Sequence, residues 1–205
     1  MVDFDYAGSH GFDDVYKLMR VLRRQCPWDA GQTHESIRAH LLEEACEAME
    51  AVDKNDAELL CEELGDVLLQ VVFHTVIAEE SGAFRMADVT GALCAKLTDR
   101  HPHVFGDTGA DGVADVLRNW EAIKRRKKGQ ATVYEAMRGV AATLPPLMRA
   151  EKLLTMAERS GLGALPDGGL REAMDAARAA EDALNEACER YMALCAESAR
   201  AEGAQ

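Results

Sequence analysis

The sequence predicts an all-α fold, and three observations predict it. Alanine, leucine and glutamate, all strong helix formers, recur along the 205 residues. Only five prolines interrupt the chain and aromatic residues supply just 5% of it, so long helices meet little internal opposition. Apolar residues return every three or four positions, the helical period, rather than alternating as in half-buried strands. A chain of this length buries a sizeable core and falls between one domain and two.

The elements follow in order. Phe12 to Gln25 carries Val15, Leu18, Met19 and Leu22 on one face and stops before a Cys26-Pro27-Trp28-Asp29 turn. Thr33 is a cap residue for a second helix through Val52, with Ile37, Leu41, Ala45, Ala48, Met49 and Val52 as its apolar stripe. After the polar turn Asp53-Lys54-Asn55-Asp56, a third helix is expected from about Ala57 to Glu80, ending near Ser81-Gly82. A fourth runs from about Met86 to Arg100, His101 to Gly112 reads as loop, and Val113 to Lys128 as another helix. Periodicity lapses at Gly129-Gln130, which divides the chain into domains 1–129 and 130–205. Tyr134 to Ser160, broken at Pro145-Pro146, and Gly169 to Ala201 complete the helices, and the tail from Glu202 is expected to fray.

Charge and composition narrow the function. A net charge of -13 argues against a nucleic-acid binder, which would present a broad basic face, while leaving room for local basic pockets. Met1 to His10 carries Asp3 and Asp5 instead of a basic segment before an apolar run, so no secretory leader is expected there. No apolar stretch approaches the ~20 residues that span a bilayer. The six cysteines form no C-x-x-C pair and most read as small apolar fillers in a reducing compartment, so a cytoplasmic protein without a membrane partner is expected.

The acidic residues carry the chemistry. Glu44 and Glu47 stand at i, i+3 on the second helix, and Glu63 and Asp66 at i, i+3 on the third. Folding this pair about Asn55 sets Glu44 opposite Asp66 and Glu47 opposite Glu63, at ~12 to 17 Å from the turn. The third helix is apolar nearly all round from Leu64 to Ile77, as a buried helix would be, except for the stripe Glu63, Asp66, Gln70 and His74. Gathering several carboxylates in such a setting is prohibitive unless they protonate or share a cation. Oxygen-only ligands point to Mg²⁺, with Mn²⁺ as a substitute, rather than zinc. A di-iron bundle would use E-x-x-H pairs, and the sequence has none at these helices. His74 suits either a partner behind the metal ligands or a hydrogen-bonded core position.

With Leu41-Leu42-Glu43-Glu44-Ala45-Cys46-Glu47 followed by Glu62-Glu63-Leu64-Gly65-Asp66, the chain resembles the MazG family of nucleotide pyrophosphohydrolases, whose signature is E-E-x-x-E, a spacer, then E-x-x-D. Cys26-Pro27-Trp28-Asp29, Gln32-Thr33-His34 and Arg100-His101-Pro102-His103-Val104-Phe105-Gly106 are similar to that family too, so the likeness runs over roughly residues 12 to 128. The resemblance implies an all-α NTP pyrophosphatase bundle completed by dimerisation, cutting nucleoside triphosphates to monophosphate and pyrophosphate. It implies Glu44, Glu47, Glu63 and Asp66 as metal ligands and Lys96, Arg100, Trp120 and Lys124 as nucleotide contacts.

Chemistry at these positions agrees with that implication. Lys96 and Arg100 at i, i+4 can neutralise a triphosphate. Trp28 and Trp120, the two tryptophans, suit base stacking or core anchoring. Glu43 or Glu47 can orient or deprotonate the attacking water. The run Lys124 to Lys128, apart from Lys124, reads as a solvated helix end. Beyond Gly129, residues Tyr134 to Gly163 resemble the start of the second domain of longer family members, but Arg171 to Ala201 lacks the acidic signature, as in a shortened non-catalytic remnant. Two rival functions remain open: an all-α hydrolase restricted to one nucleotide, such as dUTP or a phosphoribosyl nucleotide, and a nucleotide- or metal-binding regulatory module without turnover.

Overall fold

A computed structural model of the chain describes residues 10–107, 109–163 and 166–203, with 198–203 described by backbone alone. The N-terminal segment read above for a leader, apart from His10, and the last two residues of the tail lie outside the described residues. All regular structure among the described residues is helical. None of these helices is long and apolar enough to cross a membrane.

The chain divides into two compact units, 1–107 and 108–205. That division falls before the helix ending at Lys127, whereas the lapse in periodicity at Gly129-Gln130 follows it. Helical period records where a helix stops, and compactness records what it packs on.

The first unit holds α1 (Phe12–Gln25), α2 (Pro27–Ala30), α3 (His40–Asp53), α4 (Ala57–Glu80), α5 (Met86–Arg100) and α6 (Pro102–Phe105). Its core is Met19, Ile37, Val72, Phe73, Val76 and Met86, with Val15, Leu22, Leu68, Leu69 and Ile77 packed around them. Thus α1 and α5 lie against α4 over its C-terminal half. Arg23 ties that end down: its side chain is 7% exposed, it stands over the Phe73 ring, and its Nε donates to Glu80 at 3.0 Å. Such a buried guanidinium is tolerable because its fork also donates to the carbonyls of Asp29 and Gln32.

Three expectations need correction here. The helix expected from Thr33 starts instead at His40, and residues 34–39 form turns. Thr33 and Ser36 exchange side chain-to-backbone hydrogen bonds at 2.9 and 3.2 Å, so the backbone is held locally before the α-helical ladder begins. The expected loop after Arg100 contains the short α6, because Pro102 sits at its first position, where a missing N–H costs nothing. Five of the six cysteines are exposed in the single chain, and all six are free, so they are not core fillers.

The second unit holds α7 (Val113–Lys127), α8 (Val133–Arg138), α9 (Pro146–Arg159) and α10 (Leu170–Gly203). A capping box starts α8: the Thr132 hydroxyl accepts from Glu135 N at 3.1 Å and the Glu135 carboxylate accepts from Thr132 N at 2.9 Å. Gly139 ends α8, and α9 begins at Pro146. Ala150 on α9 and Met174 on α10 are buried, and Arg178 reaches Glu151 at 2.7 Å between these two helices.

Candidate metal centre

The site is set by the turn between α3 and α4. Lys54 caps α3, and Asn55 takes a left-handed φ of 53°, which asparagine tolerates better than other side chains with a Cβ. Asn55 N then bonds to Val52 O at 3.0 Å and Asp56 N to Ala51 O at 3.1 Å, the paired bonds of a Schellman ending. Asp56 also starts α4, its carboxylate accepting from Glu58 N and Leu59 N, each at 3.1 Å. One residue therefore closes one helix and opens the next, which fixes how the two faces meet.

With that register, Glu44 from α3 and Glu63 and Asp66 from α4 each place a carboxylate oxygen within 4.8 Å of the others. All three are half-buried. Burial pushes the Glu44 carboxyl above its ordinary range, and the charges of Asp66, Glu47 and Glu43 push the same way. Glu63 is raised by burial first and then by Glu47 and Asp66. Glu47 is exposed and stands beside the group rather than within it, close enough for its charge to act on both Glu44 and Glu63. Glu43 is exposed and acts on Glu44 only through its charge.

Gln70 lies one turn further along α4. Its Nε2 donates to Glu44 Oε1 at 3.4 Å, and its Oε1 is buried with no partner among the described residues. His74 follows and meets His34 from the turn before α3, Nδ1 to Nδ1 at 2.8 Å with the rings 4° from parallel. Burial lowers the His74 pKa, and the facing His34 lowers it further. The partner of His74 was not foreseen, since 40 residues separate the pair and no spacing rule links them.

A hard divalent cation fits this donor set. The ligands are all oxygen, like charges gather on two rigid helices, and an orphaned amide oxygen sits beside them to accept from a water. Glu44, Glu63 and Asp66 are the side chains that could hold the ion, with Glu47 adjacent.

The other expected site residues stand on other elements. Trp28 is 57% exposed and packs edge-on to Phe73, with ring centroids 6.5 Å apart. Lys96 is exposed and Arg100 half-buried near the end of α5. Trp120 and Lys124 are half-buried on α7, in the second unit, where Lys124 Nζ meets Glu121 at 3.2 Å. Among the described residues, no second group of three carboxylate, histidine or cysteine ligands comes together.

Comparison with known proteins gives consistent results. Residues 32–105 match the model of the MazG nucleotide pyrophosphohydrolase domain. The nucleoside triphosphate pyrophosphohydrolase of Escherichia coli K12 is 40% identical over 144 residues, covering 69% of this chain and 55% of that one. The nucleoside triphosphate pyrophosphohydrolase/pyrophosphatase MazG of Thermotoga maritima is 47% identical over 121 residues, covering 58% of this chain and 46% of its own. An uncharacterized Streptomyces cacaoi protein is 41% identical over 166 residues, covering 80% of this chain and 67% of its own. The chain thus spans about half the length of the first two relatives.

Proposed function

This chain belongs to the MazG nucleotide pyrophosphohydrolase family, and on that premise we propose that it hydrolyses nucleoside triphosphates to a nucleoside monophosphate and pyrophosphate. The observation that carries the reading is the convergence of Glu44, Glu63 and Asp66 from the two sides of one helical hairpin. In this reading Glu44, Glu63 and Asp66, joined by Glu47, hold Mg²⁺ or Mn²⁺. A bound ion of that kind neutralises phosphate oxygens and lowers the pKa of water.

The chain's own residues do the rest. Glu47, or Glu43 behind it, orients the attacking water toward the α-phosphorus and takes its proton. The new bond forms between the water oxygen and the α-phosphorus while the bond to the bridging α–β oxygen breaks. Lys96 and Arg100 offset the charge that develops on the departing pyrophosphate. Trp28, Trp120 and Lys124 contact the nucleotide. Gln70 orients Glu44, through the hydrogen bond it donates.

Residues 1–129 act as the catalytic domain in this proposal and 130–205 as a shortened helical remnant. A second copy completes the bundle, because α3 and α4 leave Leu42, Met49, Val52 and Leu64 more than half exposed, an apolar surface that water does not favour. The free cysteines suit a reducing cytosol.

A panel of canonical and damaged triphosphates incubated with Mg²⁺ tests the reaction. Monophosphate and intact pyrophosphate are the expected products. Release of inorganic phosphate with a diphosphate would sink the assignment. Asp66→Asn should remove turnover with helical content unchanged by circular dichroism.

A further inference from the structure

The second unit contains a cavity of about 440 Å³ between α7, α8 and α9, within the ~300–1,000 Å³ range of small-molecule sites. Its polar lining is strongly one-signed. Lys124 and Arg125 come from the end of α7, Lys152 and Arg159 from α9, and Glu121 is the one carboxylate facing them. Lys152, Thr155 and Arg159 recur at i, i+3 and i+7, so one face of α9 turns its cations and a hydroxyl to the same space.

Pairing separates these cations from several others of the second unit, and their convergence on one space separates them from the rest. Arg118, Arg171, Arg178 and Arg190 each have a carboxylate within 3.5 Å. Lys124 has Glu121. Among the described residues, Arg125, Lys152 and Arg159 have no carboxylate in ion-pair range. In a chain of net charge -13, three unpaired cations converging on one concavity form a focused positive potential against the general field.

We propose that this cavity is a binding site for a chain of phosphoryl groups, either free pyrophosphate or the polyphosphate arm of a nucleotide. A single carboxylate would leave most of these cations unneutralised, whereas two or three linked phosphates match them in charge, and the arginine forks match phosphate oxygens in geometry. Nucleic acid is a poorer fit, because a duplex backbone is tracked by an extended basic stripe, whereas these cations gather on one concavity of an acidic protein. The cavity lies wholly within the second unit and involves none of the metal-site carboxylates; it shares Lys124 with the nucleotide contacts assigned above, so Lys152 and Arg159, which that reading does not use, carry the test.

The test is isothermal titration of the full chain with inorganic pyrophosphate in EDTA and low salt. Without a divalent ion the carboxylate cluster repels the anion, so binding reports on the cavity. Saturable binding is expected, weakened at least tenfold in Lys152→Glu/Arg159→Glu and retained in Asp66→Asn. A parallel titration with a nucleoside triphosphate carrying a non-cleavable α,β-methylene bridge separates the two sources: whichever competes more strongly is the natural occupant. Absence of binding by both probes, or binding unchanged in the double variant, overturns the proposal.

If the double variant loses helical content, protection of Lys152 in the unmodified protein decides the matter. Pyrophosphate should slow acetylation of Lys152, read by mass spectrometry. Equal modification with and without it overturns the proposal. Turnover surviving in Asp66→Asn would instead defeat the reaction assignment and leave the cavity untouched.

Discussion

The two halves of α4 obey different rules. From Gln70 onward it is a core helix, with Gln70, Val72, Phe73, Thr75, Val76 and Ala78 all buried. Before Gln70 none of its residues is fully buried, Leu64 is 54% exposed, and the half-buried positions include Glu63 and Asp66. The burial expected from its apolar composition therefore holds for most of one half in the single chain, where Val71 alone of the apolar residues from Gln70 to Ile77 is exposed, at 38%. The lesson is a division of labour: one half supplies stability through packing, and the rigid rod it anchors carries like charges on the other half, where they could not assemble on a flexible loop.

Perturbing the two halves separately should give opposite signatures. The largest effect is expected from Asp66→Asn: with several kcal/mol supplied by a metal and a factor of ten for each 1.36 kcal/mol, turnover should fall ~100-fold or more while the thermal midpoint hardly moves. Val72→Ala should do the reverse, costing about 2 kcal/mol of stability through lost methyl groups and a cavity with turnover per folded molecule preserved, as denaturant titration beside an activity assay would show. Loss of turnover in Val72→Ala at full folding would break the division.

Gln70 sits at the boundary and sharpens it. Gln70→Ala removes the group that orients Glu44, so roughly tenfold more Mg²⁺ should be needed for half-maximal turnover, with kcat at saturating metal close to normal. An unchanged metal requirement would show that Glu44 needs no such support. The smallest effect concerns pH. Glu44 and Glu63 have carboxyls raised above their ordinary 4.5, so the folded protein keeps protons that the unfolded chain has released. Their contribution is fully present below the unfolded value and is lost as pH rises through the raised folded values. In EDTA, Glu44→Gln/Glu63→Gln should accordingly gain thermal stability over the parent at pH 7, and the gain should fade toward pH 4.5. A pH-independent difference would exclude charge crowding as its cause.

Much of this was legible in the sequence because it is written in short spacings. The i, i+3 acids, the polar Asn55-Asp56 turn and the apolar run of α4 place the carboxylates together by helix geometry alone. Helices α1, α4 and α5 match their expected bounds for the same reason. What depends on side chains competing with backbone was not legible: Thr33 and Ser36 hold turns where apolar periodicity implied helix. Nor was anything that needs two distant segments to meet, such as His34 on His74. The cationic cavity belongs to that class as well. Arg125 reads as part of a solvated helix end until α9 brings Lys152 and Arg159 to face it.

The turn at Asn55 also constrains how such a chain can vary by descent. Because Asp56 is at once the last residue of one helical ending and the first cap of the next, inserting or deleting one residue there would rotate α4 by ~100° against α3. That would carry Glu63 and Asp66 away from Glu44 even though every one of them was still encoded. Point changes in the turn are survivable, whereas changes of length are not, so the history of this site should be recorded in the constancy of the three-residue spacer Lys54-Asn55-Asp56 more faithfully than in the identity of the residues that fill it.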